Sequence, residues 1–222
     1  DGVSGLVQAD LTKLAALDVT ATELNLLDDK DATHLAVPGK FGGTNFTRSM
    51  IIGHSTTGTL NGAVNNTGVG EAALEDITSG DDNTAVGRRS LKDLNVGGAN
   101  TALGSEALAT VTGNSGNTGI GRSALQLTTG TNNIGLGLSA GDNITSGDGN
   151  VIIGGVDAAS ATGDRQLIIA GNDGSTTTTW ISGDNTGNLT FAADVTVGDD
   201  LNLTTDASII NFGADSDTTL TH

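Results

Sequence analysis

The chain has 222 residues, 34 of them glycine, and its 26 acidic against 9 basic side chains give a formal net charge of −17. Such a surface cannot displace counterions from nucleic-acid phosphates, and no apolar run approaches the ~20 residues that cross a bilayer, so neither nucleic-acid binding nor membrane insertion is expected. The absence of cysteine removes disulfides, zinc–thiolate centres and thiol nucleophiles.

Asp1 opens the chain and Met50 is its only methionine, as expected of a segment of, or a product cut from, something longer. Leu11, Leu14 and Leu17 recur at three-residue spacing. Thr20-Ala-Thr-Glu23 then reads as a capping box ahead of Leu24, Leu26 and Leu27. Two short helices are predicted, over roughly 9–17 and 21–28, too short to persist alone and so expected to pack as a small bundle in a unit spanning 1–28. Residues 29–48, with Pro38 and three glycines, are expected to form a linker or irregular adaptor.

The middle of the chain repeats. Asn66-Thr-Gly-Val-Gly is followed by equivalents beginning at Asn83, Asn100, Asn117, Asn133 and Asn150, at spacings of 17, 17, 17, 16 and 17 residues. Ser49 starts the series one step earlier. An aliphatic row (Ile52, Val69, Val86, Leu103, Ile120, Leu136, Ile153) precedes a glycine row (Gly53, Gly70, Gly87, Gly104, Gly121, Gly137, Gly154). A small residue (Ala73, Ser90, Ala107, Ala124, Ala140) comes next, then leucine (Leu74, Leu91, Leu108, Leu125), with Gly141 breaking the row. A last aliphatic slot holds Leu60, Ile77, Leu94, Val111 and Ile144, and in the short coil Leu127 is expected to take it, one deletion lying between Leu125 and Leu127.

A helical repeat needs about 33 residues or more, whereas 17 residues divided by Gly and Asn corners suit short strands. The chain is therefore expected to be mainly β, with residues 49–171 wound as a β-solenoid or β-roll of about 17 residues per coil and roughly 4.8 Å between coils. In this reading the first aliphatic row points inward, and the glycines after it supply corners with positive φ. Asn adopts the left-handed region and ladders its amide to the coil above. So few aliphatics per coil fill only a thin core, and association with further copies is expected to cover the rest.

Gln166-Leu-Ile-Ile-Ala170 reads as a decayed last coil, and 172–187 as a junction with a strand leading to Trp180, which is expected to plug it, a glycan platform being the lesser reading. From Asn188 the period falls to six. Leu189 and Phe191, Val195 and Val197, Leu201 and Leu203, then Ala207 and Ile209 alternate behind Asn188, Asp194, Asp200 and Asp206. Alternation broken by a corner every six residues predicts one side of a triangular prism over 188–222. Four hexads are too few for one chain to wind alone, so three intertwined copies are expected.

The Asn-Thr-Ala-aliphatic-Gly…Ala-Leu coils resemble the repeats of phage tail-fibre and tail-spike proteins and the head repeats of trimeric autotransporter adhesins of the YadA type. The segment from Leu11 to Asp28 is similar to one found in structural proteins of phages, and the hexads to intertwined fibre stems. The resemblance implies a homotrimeric virion appendage, extracellular at the host surface. Its N-terminal region would join other tail proteins, and its far end would meet a host glycan or protein. A bacterial adhesin passenger and a glycan depolymerase are the alternatives.

Little in the sequence suggests catalysis or a cofactor. Glycan cleavage needs two carboxylates across a sugar bond, and Glu23, Glu71, Glu75 and Glu106 show no recurrent pairing. His34, His54 and His222 lack partners for nucleophilic chemistry; three copies of His54 meeting on an axis would be a minor metal option. Asp28-Asp29…Asp31, Asp81-Asp82 and Asp199-Asp200 read as solvated corners, with weak cation binding as the lesser reading.

Overall fold

The computed structural model describes residues 39–197 apart from residue 55. The two helices expected before residue 29 and the stem from 198 onward, with Leu201, Leu203 and Ile209, lie outside the described residues. Everything described is strand, turn or coil. Seven three-residue strands stack in parallel: β3 (Met50–Ile52), β5 (Thr67–Val69), β6 (Thr84–Val86), β7 (Thr101–Leu103), β8 (Thr118–Ile120), β9 (Ile134–Leu136) and β10 (Val151–Ile153). Like pairs with like, as in Thr84↔Thr101↔Thr118 and Val86↔Leu103↔Ile120. This is a β-solenoid with coils about 17 residues apart.

Strand centres point inward and their two neighbours point outward. Ile51, Ala85, Ala102 and Ile152 are fully buried, whereas the row from Ile52 to Ile153, expected inside, lies on the outer face with Leu103 49% and Leu136 44% exposed. The reason is steric. Where the preceding coil carries a leucine, the strand centre sits beneath it: a Cβ added to Gly119 would lie 3.0 Å from Leu108 Cγ, and one added to Gly135 would lie 2.7 Å from Leu125 Cγ. Only a small residue fits there, so the larger aliphatic on the same short strand goes outside. Leu74, Leu91, Leu108 and Leu125 are fully buried, as are Ile77, Leu94, Val111 and Ile144.

The short coil differs from expectation. Leu127 is 50% exposed, and Thr128 is fully buried in the interior slot. The Thr128 N–H reaches Leu125 O at 3.3 Å, as the Leu94 N–H reaches Leu91 O. Because Asn117 Nδ2 meets a carbonyl 13 residues on (Gly130) where its neighbours span 14, the missing residue falls between Thr128 and Gly130. Gly141 is compensated by the coil after it. The leucine row has positive φ (Leu91 47°, Leu108 53°), which Gly141 (61°) adopts freely, and Ile152 fills the space a leucine would take, its Cγ1 3.1 Å from where a Cβ would stand.

A buried asparagine ladder runs the length of the stack. Asn66, Asn83, Asn100, Asn117, Asn133 and Asn150 are fully buried. Asn83 Oδ1 accepts the Asn100 backbone N–H at 3.0 Å and Asn100 Nδ2 at 3.1 Å, while Asn83 Nδ2 donates to Asn66 Oδ1 and to Gly97 O. The left-handed residue is the one before each rung, such as Asn65, Asp82 or Ala99, rather than the rung itself. Ser49 Oγ closes one end by accepting the Asn66 N–H at 2.8 Å. Gln166 closes the other, donating its backbone N–H and Nε2 to Asn150 Oδ1.

The ends of the sheet are antiparallel. Residues 39–48, expected as an irregular adaptor, hold β1 (Gly39–Phe41), antiparallel to β3, and β2 (Phe46–Thr47), parallel to β4 (Ala63–Val64). Phe46, 1% exposed, stoppers the core. At the far end β11 (Leu167–Asn172) still stacks on β10, then β12 (Thr177–Gly183) and β13 (Leu189–Phe191) fold back as a meander. The first hexad strand therefore belongs to the solenoid's own sheet. Its stem residues are exposed: Leu189 57%, Phe191 48%, Val195 58% and Val197 46%.

Candidate functional site

The outer face of this 11-stranded sheet carries two parallel rows. One is the aliphatic row, which the register continues beyond Ile153 through Ile169 and Ile181 to Phe191. The other runs Met50, Thr67, Thr84, Thr101, Thr118, Ile134, Val151, Leu167. Neither holds a charged residue, although the chain carries a net −17. Seven steps of about 4.8 Å give a stripe roughly 34 Å long from Ile52 to Ile169, about 7 Å between rows. Toward the last coils both rows become apolar, with Ile134 41% and Leu136 44% exposed.

The corner glycines hold these rows in register. Their φ values run from 110° at Gly53 to 142° at Gly104, and a Cβ on Gly104 would stand 2.5 Å from Gly121 O. A second glycine row, Gly80, Gly97, Gly130 and Gly147, was legible as a further column fourteen residues after most Asn starts but was missed. Its backbone packs on the next coil too closely for a Cβ, and its carbonyls receive the ladder's Nδ2 groups.

The sequence-based candidates for chemistry are dispersed. Glu106 pairs with Arg88, and Glu75 lies 3.8 Å from Lys92; Glu71 is exposed. His54 Nε2 lies 2.7 Å from Ala73 O, tying the ring to its own stack. Asp81 and Asp82 each accept one bond at a corner, from the Val64 N–H and from Asn65 Nδ2. His34, His222, Glu23, Asp28, Asp29, Asp31, Asp199 and Asp200 fall outside the described residues. Among the described residues no three His, Asp or Glu side chains converge to hold a metal ion.

One feature at the last coil was not foreseen, and a second departs from the main expectation. A cleft of about 520 Å³ is bordered by Ser139, Asp142, Asp157, Asn172 and Thr177. Burial, and then the neighbouring Asp142, push the Asp157 carboxyl up from its ordinary range. The second is Trp180. Expected to plug the junction, it is 55% exposed and rests against Gly171.

No protein-family model matches the sequence, and comparison with curated proteins and with solved structures finds no significant match.

Proposed function

We propose that the chain is the shaft of a homotrimeric surface appendage, a fibre of the phage-tail type, that holds a host-binding end away from the particle carrying it. The observation behind this reading is the charge-free stripe running from Ile52 to Ile169 on an otherwise acidic molecule. Self-repulsion keeps a chain of this charge apart from its copies everywhere else. A row of aliphatics in 4.8 Å register is complementary to the same row on another copy, and covering it removes apolar area from water. Three copies around one axis close the association with no free face, and the six-residue alternation after Asn188 suits the same number. The core argues for stiffness: every coil is tied to the next by backbone bonds and by the Asn ladder, so bending the rod means breaking several bonds in one coil.

Light scattering on the purified chain tests this. The expected mass is three times the 22.0 kDa chain. Leu103→Glu combined with Leu136→Glu places a charge in the dry row of every copy and should return the mass to that of one chain while the β-sheet circular dichroism stays. A wild-type chain that runs at 22.0 kDa at micromolar concentration refutes the proposal.

A further inference from the structure

Trp180 is the only tryptophan of the chain, and its setting is that of a binding platform. β11 runs straight on past the corner where the seven coils below it turn, which carries Gly171 to the flank of the stripe. A Cβ at Gly171 would come within 2.6 Å of the indole Cζ2 and 2.8 Å of Cη2, so the ring settles there only because residue 171 is glycine. The residues that follow the corner glycines on this flank include Glu71, Arg88 and Arg122. Ionised groups of that kind do not go into a dry contact, so the flank faces water even where the stripe beside it is covered in the trimer proposed above.

Next to the indole is a shallow cavity of about 330 Å³ rimmed by Asn172, Asp173, Thr176 and Thr178. Asp173 Oδ1 accepts the N–H groups of Ser175 (2.9 Å) and Thr176 (2.8 Å), which fixes the carboxylate and leaves Oδ2 to accept further bonds. The same turn, the Thr176 N–H first, holds the Asp173 carboxyl below its usual range and keeps it ionised. Asn172 is anchored through Nδ2 to Gly155 O and Thr177 Oγ1. Thr176 and Thr178 are exposed, with hydroxyls able to donate or accept.

A fixed aromatic face with a carboxylate and hydroxyls at its edge has a specific demand. The ligand must offer an apolar C–H surface to the ring and hydroxyl donors to the rim. An anion is repelled by both the carboxylate and the negative face of the ring, and a purely apolar segment would strip water from Asp173 without replacing it. We propose that Trp180, Asp173, Thr176 and Thr178 form a platform for a neutral saccharide, a pyranose stacking on the indole with its hydroxyls on the rim. This site takes its biological sense from the attachment reading and rests on it in that respect. One such contact is weak, in the range of ~1–10 mM, and three copies on one fibre would add by avidity.

The sole tryptophan makes the site its own reporter. The full chain is titrated with maltose, lactose, cellobiose and N,N′-diacetylchitobiose while its emission is followed, with glycerol as a polyol that has no ring to stack. A saturable change with at least one disaccharide, half-complete in the millimolar range and absent with glycerol, is expected. Asp173→Ala and Thr176→Ala keep the indole and should weaken that response tenfold or more with circular dichroism unchanged. No saturable response to any of the four up to about 100 mM, a response indifferent to Asp173→Ala, or a blue-shifted emission shielded from iodide would each overturn the site. Sedimentation of the same samples separates the two readings. A trimer with silent tryptophan removes the saccharide site alone, and a monomer that responds removes the trimer alone.

Discussion

Replacing Asn100 by alanine removes one rung from the middle of the ladder, and the structure sets what that costs. Four bonds are lost: Asn100 Nδ2 to Asn83 Oδ1 (3.1 Å) and to Asn114 O (2.9 Å), and Asn100 Oδ1 from the Asn117 backbone N–H (3.0 Å) and Nδ2 (3.3 Å). Two of the groups keep a partner. Asn83 Oδ1 still accepts the Asn100 backbone N–H, and Asn117 Nδ2 still donates to Gly130 O. The Asn117 N–H and Asn114 O are left with none. A buried polar group stripped of its partner costs about 1–3 kcal/mol, so the expected loss is about 4 kcal/mol, or roughly 10 °C in the melting midpoint of a chain this size. Ser49→Ala is the internal standard. It strands only the Asn66 N–H at the ladder's end and should cost about half as much. Urea denaturation gives both values, and hydrogen exchange should show the Asn117 amide opening faster in the Asn100→Ala chain. If that substitution costs no more than Ser49→Ala, the ladder is a passive filling and the stack is held by its backbone and leucines alone.

Gly104→Ala should be among the most damaging small changes available. It combines a φ of 142° with a Cβ 2.5 Å from Gly121 O and 2.6 Å from Gly121 C, and strain plus overpacking together come to more than about 3 kcal/mol by denaturant titration. Gly62→Ala, at φ 90° with nothing within 4 Å of the new Cβ, should cost only the strain, about 1 kcal/mol. Acid should loosen the β12–β13 turn before the stack. The Thr186 hydroxyl (2.6 Å) and Asn188 Nδ2 (2.9 Å), with the backbone N–H groups of both residues, hold the Asp184 carboxyl well below the usual carboxylate range. A depressed folded value stabilises the turn above the unfolded value near 4 and is lost as pH falls below it. Exchange at Thr186 and Asn188 should therefore rise below about pH 4, and Asp184→Asn should abolish that dependence; equal pH profiles for the two chains would contradict it.

Much of the stack could be read from the sequence because each row repeats one chemical constraint many times. The rungs at Asn66 through Asn150, the positive-φ glycines and the leucines each answer a demand that recurs in every coil. The direction of the Ile52–Ile153 row could not be read in that way. On a three-residue strand between corners, two positions face one side and one the other. In the coils from Val86 to Leu136 what chooses between them is the leucine delivered by the neighbouring coil, a contact absent from any single repeat. Leu127 misled for a related reason: hydrophobicity favours it for the core, while the turn bond to Leu125 O places Thr128 there. Trp180 was misplaced because its exposure depends on β11 running past the corner, a consequence of Ala170 standing where earlier coils have glycine.

The two ends of the solenoid bear on how copies can meet. A parallel β-stack with identical coils exposes an edge at each end onto which another stack could add and extend without limit. Here both edges are altered before that can happen. At one end β1 lies antiparallel on β3 and Phe46 fills the core mouth; at the other, Gln166 ends the ladder and β12 turns back along β11. The register that would let one rod continue another is thus broken at both ends. The sides are not protected in the same way, since the stripe carries neither charge nor proline. Among the described residues the solenoid is thus capped at both ends and open along one apolar side, an arrangement that suits the lateral association proposed above better than end-to-end growth.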